Sequence, residues 1–246
     1  MKSKFNIDCR IGFSHLLPDN HISLPGLMAL VQDAPLFHNH SIPGAFDYYD
    51  KMNWAWILTH WQVEILGYPK AADNINISTW PVSYKGYFGE RSSEVVDSNG
   101  NSLLHANTNW ILLDRTSFKP VRPTDFITDK FGPLFPFILP KDFSMPKVAA
   151  FVPLSEHKYR AARRDMDTNN HVNNVNYLKW VYDHIPDDIY YNYRPKSLKV
   201  AYKKETLPGD DLNIKLYHNP QGALPETFAI IEKEGKTATE IYIAWK

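Results

Sequence analysis

The chain has 246 residues, 43% hydrophobic and 14% aromatic, with 27 basic residues against 27 acidic ones. This composition excludes a disordered or fibrous chain, and the length suits one large domain or two small ones, each able to bury a core. The charge balance offers no electrostatic reason to expect nucleic acid or an anionic membrane as partner, and no apolar run reaches the roughly 18 residues of a membrane span.

Taken in order, residues 4–13 alternate Phe5, Ile7, Ile11 and Phe13 with polar neighbours, a strand pattern. A loop follows to Ser23, then a helical stripe of Leu27, Leu30, Val31 and Ala34 with Pro25 in its first turn; Pro35 is expected to kink or end that helix. Strands are expected at 54–66, 74–84, 88–96 and 103–114, the last two separated by the turn Asp97-Ser-Asn-Gly100. From Lys119 to about Ala150 the chain is rich in Pro, Phe and Asp without a period, and reads as an irregular crossover. The pattern then restarts: a strand at 151–159, a polar loop, a helix to about His184 stopped by Pro186, and strands at 198–202, 212–217, 228–232 and 239–245. Each half is strand, loop, helix and antiparallel strands, an α+β pattern that points to an internal duplication.

The densest chemistry lies between Arg164 and Trp180. Two carboxylates, five side-chain amides and an imidazole fall between Asp165 and Tyr177, where Val175, Leu178 and Val181 begin a helix. Asn169 or Asn170 would cap that helix, placing the cluster at a helix N-terminus that favours developing negative charge. An Asn/Asp-rich loop of this kind is ordinarily only a well-capped surface turn. Two features argue for more here: Asp167 and His171 stand four apart at the mouth of an apolar helix, and the run Asp165-Met-Asp-Thr-Asn-Asn-His-Val-Asn-Asn-Val175 closely resembles the signature of the acyl-(acyl-carrier-protein) thioesterases. The resemblance extends to Trp54-Ala-Trp-Ile-Leu-Thr59, Gln62-Val-Glu64, Tyr68-Pro69, Thr79-Trp80-Pro81 and Trp110-Ile-Leu-Leu-Asp114, and so to nearly the whole chain except the crossover.

That resemblance implies a tandem hotdog fold, each half a curved antiparallel sheet wrapped around one helix. It divides the chain into an N-terminal hotdog at 1–130, a linker at 131–150 and a C-terminal hotdog at 151–246. It implies hydrolysis of fatty acyl thioesters of acyl-carrier protein to free fatty acid, which ends fatty acid synthesis. The residues matching the family's catalytic positions are Asp167, Asn169, His171 and Glu205: the two carboxylates would activate or orient water, and Asn169 and His171 would orient or polarise. Taken alone, Glu205 is an ordinary strand-end glutamate beside lysines; what singles it out is its place 205 − 171 = 34 positions after His171. Where some relatives carry a cysteine after this glutamate the chain has Thr206, which removes a Cys–His nucleophile there. Cys9, on the first strand, reads as a small buried hydrophobe, and as the only cysteine it excludes an intramolecular disulfide. A metal held by Asp167, His171 and Glu205 is conceivable, yet the usual ligand spacings are missing, so neither metal nor cofactor is expected.

Sliding one half along the other aligns His21 with His171, an offset of 171 − 21 = 150, so that Leu17 matches Asp167 and Asp19 matches Asn169. A second alignment of 205 − 66 = 139 sets Leu66 against Glu205. The duplication therefore predicts one active site, in the second half, with the acyl chain taken up largely by the first, where Leu27, Met28, Val31 and Trp54 are candidate contacts. An acidic carrier protein is the implied partner, with Arg163, Arg164 and Lys179 as candidate contacts. Lacking a signal-peptide core or a plastid transit segment, the chain is expected in the cytoplasm and in the bacterial branch of the family. The alternatives are a coenzyme A thioesterase, a hotdog hydratase and a non-catalytic acyl-binding protein. A tandem repeat supplies its own pairing, so a monomer and a homo-oligomer both fit.

Overall fold

A computed structural model describes residues 4–132, 135–168 and 170–246. They fall into two compact units: Met1–Thr59 with Val63–Lys141, and His60–Gln62 with Asp142–Lys246. In the first, β1 (Phe5–Arg10) leads through a 3-10 turn into a long helix, α1 (Leu24–Ser41), followed by α2 (Ala45–Met52). Strands β2 (Trp54–Ile65), β3 (Asn74–Lys85), β4 (Phe88–Asp97) and β5 (Ser102–Asp114) come next, then α3 (Asp125–Phe131). The second repeats the plan with β6 (Val152–Arg160), a 3-10 turn, α4 (Asn174–Tyr182) and α5 (Asp187–Asn192). It ends with β7 (Pro195–Tyr202), β8 (Asp211–His218), β9 (Glu226–Lys233) and β10 (Lys236–Trp245).

Strand order is β1-β3-β4-β5-β2 in the first unit and β6-β8-β9-β10-β7 in the second. Counted within each unit, both orders read first, third, fourth, fifth, second. Strand pairing is antiparallel, β1 on β3 in one unit and β6 on β8 in the other. The expected duplication is thus present in the backbone topology. Alternation along the strands sends one set of side chains inward: Ile75, Ile77, Leu104 and Leu112 in the first unit, and Leu198, Leu212, Ile214, Leu216 and Ile231 in the second, are all buried. Burying each such side chain stabilises the fold by about 1.5–3 kcal/mol.

Helix α1 starts where Ser23 Oγ accepts the Gly26 N–H at 3.0 Å, with Pro25 in the first turn, where a missing N–H costs nothing. Leu24, Leu27, Met28, Val31 and Ala34 form its buried stripe. Contrary to expectation, Pro35 does not end it. The helix runs on to Ser41, giving up one interior hydrogen bond, but beyond Ala34 it buries no residue. Helix α4 begins later than expected. Its cap is Asn173, whose Oδ1 accepts the Val175 N–H at 3.0 Å. Asn170 is instead left-handed, with φ +60°, and so cannot lead into the helix. Helices α2, α3 and α5 were not foreseen; each buries only one or two residues, too few to print a helical period. Among the described residues no helix is long and apolar enough to cross a membrane.

Leu27 is wholly buried in the α1 stripe. Leu27→Ala should therefore lower the unfolding free energy by about 2–5 kcal/mol, read from urea denaturation; a surface or loosely held side chain would give well under 1 kcal/mol.

Candidate active site

In the second unit the chain enters α4 through a tight loop. The Asp167 N–H donates to His171 C=O at 2.8 Å, the Asn170 N–H to Asp167 C=O at 3.1 Å, and Met166 and Val172 form a β-bridge. The Val172 N–H donates to Thr206 C=O at 3.0 Å, which pins this loop against the segment leaving β7. His171 precedes Val172 and Glu205 precedes Thr206, so the two side chains meet: His171 Nε2 lies 3.3 Å from Glu205 Oε2. The His171 N–H reaches Asp167 Oδ1 at 3.4 Å. One residue thus addresses both carboxylates, Asp167 through its backbone and Glu205 through its ring. A hydrogen on Nε2 aimed at Glu205 leaves Nδ1 of the neutral ring as an acceptor. Glu205 is half-exposed and His171 less so, which leaves the pair open to water.

The loop is held from beneath by a carboxylate that sequence reasoning passed over. Asp165 is buried; its Oδ2 accepts Tyr159 O–H and Ala162 N–H, both at 2.8 Å. Its C=O accepts the Asn173 N–H and the Asn176 side-chain amide, again at 2.8 Å. Tyr202 O–H donates to Asn174 C=O at 2.9 Å, fixing the start of α4 to the end of β7. The sequence signal for Asp165 is its spacing, two residues before Asp167 and six after Tyr159. Glu205's own loop has a brace as well: Asp210 Oδ2 accepts the Leu207 N–H at 2.7 Å and meets Lys233 Nζ at 2.5 Å.

The first unit has the same loop with different side chains. The bonds Leu17 N–H to His21 C=O, Asn20 N–H to Leu17 C=O, and Ser23 N–H to His15 C=O repeat those of Asp167, Asn170 and Asn173 at an offset of 167 − 17 = 150. Asn20, with φ +70°, repeats the left-handed Asn170. The second alignment needs correction. Ile22 N–H donates to Pro69 C=O where Val172 N–H donates to Thr206 C=O, an offset of 206 − 69 = 137. The Asp73–Lys70 turn likewise repeats Asp210–Leu207. The counterpart of Glu205 is therefore Tyr68, not Leu66. The similar Leu-x-x-Pro and Glu-x-x-Pro spellings misled the alignment because the turn bonds, not the prolines, fix the register. His21 has no carboxylate from that segment beside it and pairs with Asp19 at 3.3 Å instead.

The structure thus brings together Asp167, His171 and Glu205. Asn169 lies outside the described residues. Arg163, Arg164 and Lys179 are exposed, the first two on the turn that leads to Asp165. Leu27, Met28 and Val31 are buried on α1, and Trp54 packs partly buried against Tyr48, 6.2 Å between ring centres. Cys9 is only half-buried, and burial, together with Asp33 and Asp8, pushes its thiol pKa up, which makes it a poor nucleophile. Burial pushes Tyr177, behind the loop, up to about 12. Among the described residues no three His, Cys, Asp or Glu side chains group as a metal would require.

The solved structures most like this chain in fold include an acyl-ACP thioesterase from Bacteroides thetaiotaomicron and the 12:0-ACP thioesterase from Umbellularia californica. The first has a TM-score of 0.81 at 18% identity over 98% of this chain and 97% of its own. The second has a TM-score of 0.84 at 19% identity over 98% and 96%. The fold is therefore that of the thioesterases with large antiparallel sheets. Residues 2–131 match the acyl-ACP thioesterase N-terminal domain and residues 152–246 the C-terminal domain, and the chain belongs to the acyl-ACP thioesterase family. Among curated relatives, the chloroplastic oleoyl-acyl carrier protein thioesterase 2 of Arabidopsis thaliana is 26% identical over 65% of this chain and 46% of its own length. The chloroplastic palmitoyl-acyl carrier protein thioesterase of Gossypium hirsutum is 26% identical over 76% of this chain and 48% of its own. The chain spans about half the length of the curated relatives it matches.

The Asp210 brace makes a pH prediction. Burial raises this carboxyl's pKa, but the Leu207 N–H and Lys233 outweigh it and the net shift is downward. A depressed folded pKa contributes stability that is present above the unfolded value of about 3.9 and is lost as pH falls through the folded one. Asp210→Asn should be less stable than wild type near neutral pH, and the gap should close as pH drops below about 4. Thermal melts of both proteins across that range check it, and a gap independent of pH would rule it out.

Proposed function

We propose that the protein hydrolyses fatty acyl thioesters of acyl-carrier protein to free fatty acids, with Asp167, His171 and Glu205 as the working group. The observation that carries this reading is the 3.3 Å approach of His171 to Glu205, beside an Asp167 carboxylate that faces the His171 N–H. Thioester hydrolysis needs water, a base to take its proton and donors for the oxyanion. One carboxylate takes a proton from water as its oxygen bonds to the thioester carbon; the tetrahedral intermediate then collapses, the C–S bond breaks and the thiol leaves with a proton. His171 orients Glu205, and Asn169 is the proposed amide donor to the substrate carbonyl.

The proposal takes each unit as a hotdog, supported by the repeated strand order and by α1 packing on β3 as α4 packs on β8. It assigns the single active site to the second unit, because Leu17 and Tyr68 stand where Asp167 and Glu205 would be needed in the first. It assigns the acyl chain to the first unit, near Leu27, Met28, Val31 and Trp54. The exposed Arg163, Arg164 and Lys179 are the proposed contacts for an acidic carrier protein. The domain limits proposed are 1–130 and 151–246, with 131–150 as linker.

Acid release from a panel of acyl-carrier-protein thioesters tests this directly. Asp167→Asn and Glu205→Ala should each lose at least about a hundredfold in turnover while remaining folded, the scale expected for removing a general base. Full activity in both variants would overturn the residue assignment, and an inactive wild type on every chain length would overturn the reaction.

A further inference from the structure

Beneath the loop that carries Asp167 and His171, the second unit spends a carboxylate on a place where water hardly reaches. Asp165 is 5% exposed, and a carboxylate so enclosed is tolerated only where hydrogen bonds replace its water. Its Oδ2 takes two, from the Tyr159 O–H on β6 and from the Ala162 N–H, both at 2.8 Å. Burial first, then the bond to Asp165 and its charge, push the Tyr159 hydroxyl up, so Tyr159 keeps its proton and donates. The Tyr159 ring lies against Trp180 of α4, 4.5 Å between centres, and Trp180 meets Tyr177 at 5.2 Å. The main chain of Asp165 closes the loop. Its C=O accepts the Asn173 N–H and the Asn176 amide, both at 2.8 Å, so the two ends of segment 165–173 are clasped together.

The first unit builds the same loop on other side chains. Cys9 pairs with Ile75 as Tyr159 pairs with Leu212, so Cys9 is the counterpart of Tyr159, an offset of 159 − 9 = 150. That is also the offset between Leu17 and Asp167. It sets His15 against Asp165, Gly26 against Asn176 and Leu30 against Trp180. The backbone repeats all the same: Ser23 N–H donates to His15 C=O at 2.8 Å, as Asn173 N–H does to Asp165 C=O. The loop therefore folds without a carboxylate, a tyrosine or a tryptophan beneath it. A buried carboxylate is costly, and the half that dispenses with it is the half in which Leu17 and Tyr68 replace Asp167 and Glu205.

We propose that Asp165, held by Tyr159, is a positioning residue for the reaction, fixing where the loop presents Asp167 and His171 to Glu205. The proposal rests on the assignment of those three residues made above. Asp165 touches no reacting atom; it acts through the clasp at the base of the loop. Displacing a catalytic group by about 1 Å costs on the order of a hundredfold in rate, so loosening that base should fall chiefly on kcat. A carboxylate suits the task better than a neutral acceptor because hydrogen bonds to an ionised oxygen are about twice as strong.

The test follows hydrolysis of the acyl-carrier-protein thioester that wild type cleaves fastest, beside thermal melts and proton–nitrogen NMR spectra of the histidine rings, with His171 assigned from His171→Gln. Tyr159→Phe keeps the ring on Trp180 and removes only the hydroxyl. It should lower kcat about tenfold with KM within about twofold, and melt only about 2–4 °C lower, the scale of one lost hydrogen bond. Asp165→Ala should lose about a hundredfold in kcat, and Asp165→Asn, which keeps an acceptor oxygen, should recover at least about tenfold of it. Tyr159→Phe serves if the alanine variant fails to fold. His15→Ala, the same change in the first unit, should leave kcat and KM as they are. In the ring spectra Tyr159→Phe should move the His171 signals and leave those of His21 in place.

A merely structural floor would lower the melt and leave turnover per folded molecule at the wild-type value. That result, or a loss confined to KM, overturns the proposal alone if Asp167→Asn and Glu205→Ala are impaired. Full activity in those two variants overturns the residue assignment and the proposal with it. If wild type cleaves none of the thioesters, unmoved His171 signals in Tyr159→Phe overturn it.

Discussion

A single backbone hydrogen bond, Val172 N–H to Thr206 C=O at 3.0 Å, ties the loop entering α4 to the segment leaving β7. Val172 and Thr206 are both buried, and a buried amide left without a partner costs about 1–3 kcal/mol, so the junction is a requirement of the fold before it is anything else. The residues on either side of that bond, His171 and Glu205, are thereby brought face to face. Their own attraction contributes little, since a pair this open to water is worth about 0–1 kcal/mol. The backbone places the site, and the site does not hold the backbone.

The first unit acts as an internal control, because it makes the same junction through Ile22 N–H and Pro69 C=O at 2.9 Å. Features kept in both units belong to the scaffold: the left-handed asparagines Asn20 and Asn170, the capping side chains of Ser23 and Asn173, and the turn-closing carboxylates Asp73 and Asp210. Features that differ carry the individuality of each half. Leu17 stands for Asp167, Tyr68 for Glu205, and His15 for Asp165.

One pair of differences is coupled by space. Asn176 donates its amide to Asp165 C=O, and at the equivalent place the first unit has Gly26 beside His15. A Cβ on Gly26 would come within 2.9 Å of His15 Cβ and of its carbonyl oxygen. The helix start of the first unit can approach its loop that closely only without a side chain, whereas the second unit fills the space with an amide and a hydrogen bond. The second unit thus has a more fully bonded floor beneath its loop.

The sequence by itself determined the repeated order of elements, the core-facing stripes of α1 and most strands, and the loop that holds Asp167 and His171. These signals are local: periodicity, turn residues and a dense polar run lie within one stretch of chain. It did not fix the cap at Asn173, the passage of α1 through Pro35, or the short helices, because each depends on a few contacts with little period of their own. The tertiary structure decided what lies far apart in sequence. It paired Glu205 with Tyr68 rather than Leu66 as counterparts, since turn hydrogen bonds rather than similar spelling set register, and it drew Asp165 into the floor of the loop. It also turned Arg91 inward. An arginine in a strand reads as solvent-facing from sequence, and only strand pairing and the packing of His38 against it show Arg91 half-buried, with its Nε–H sealed from solvent.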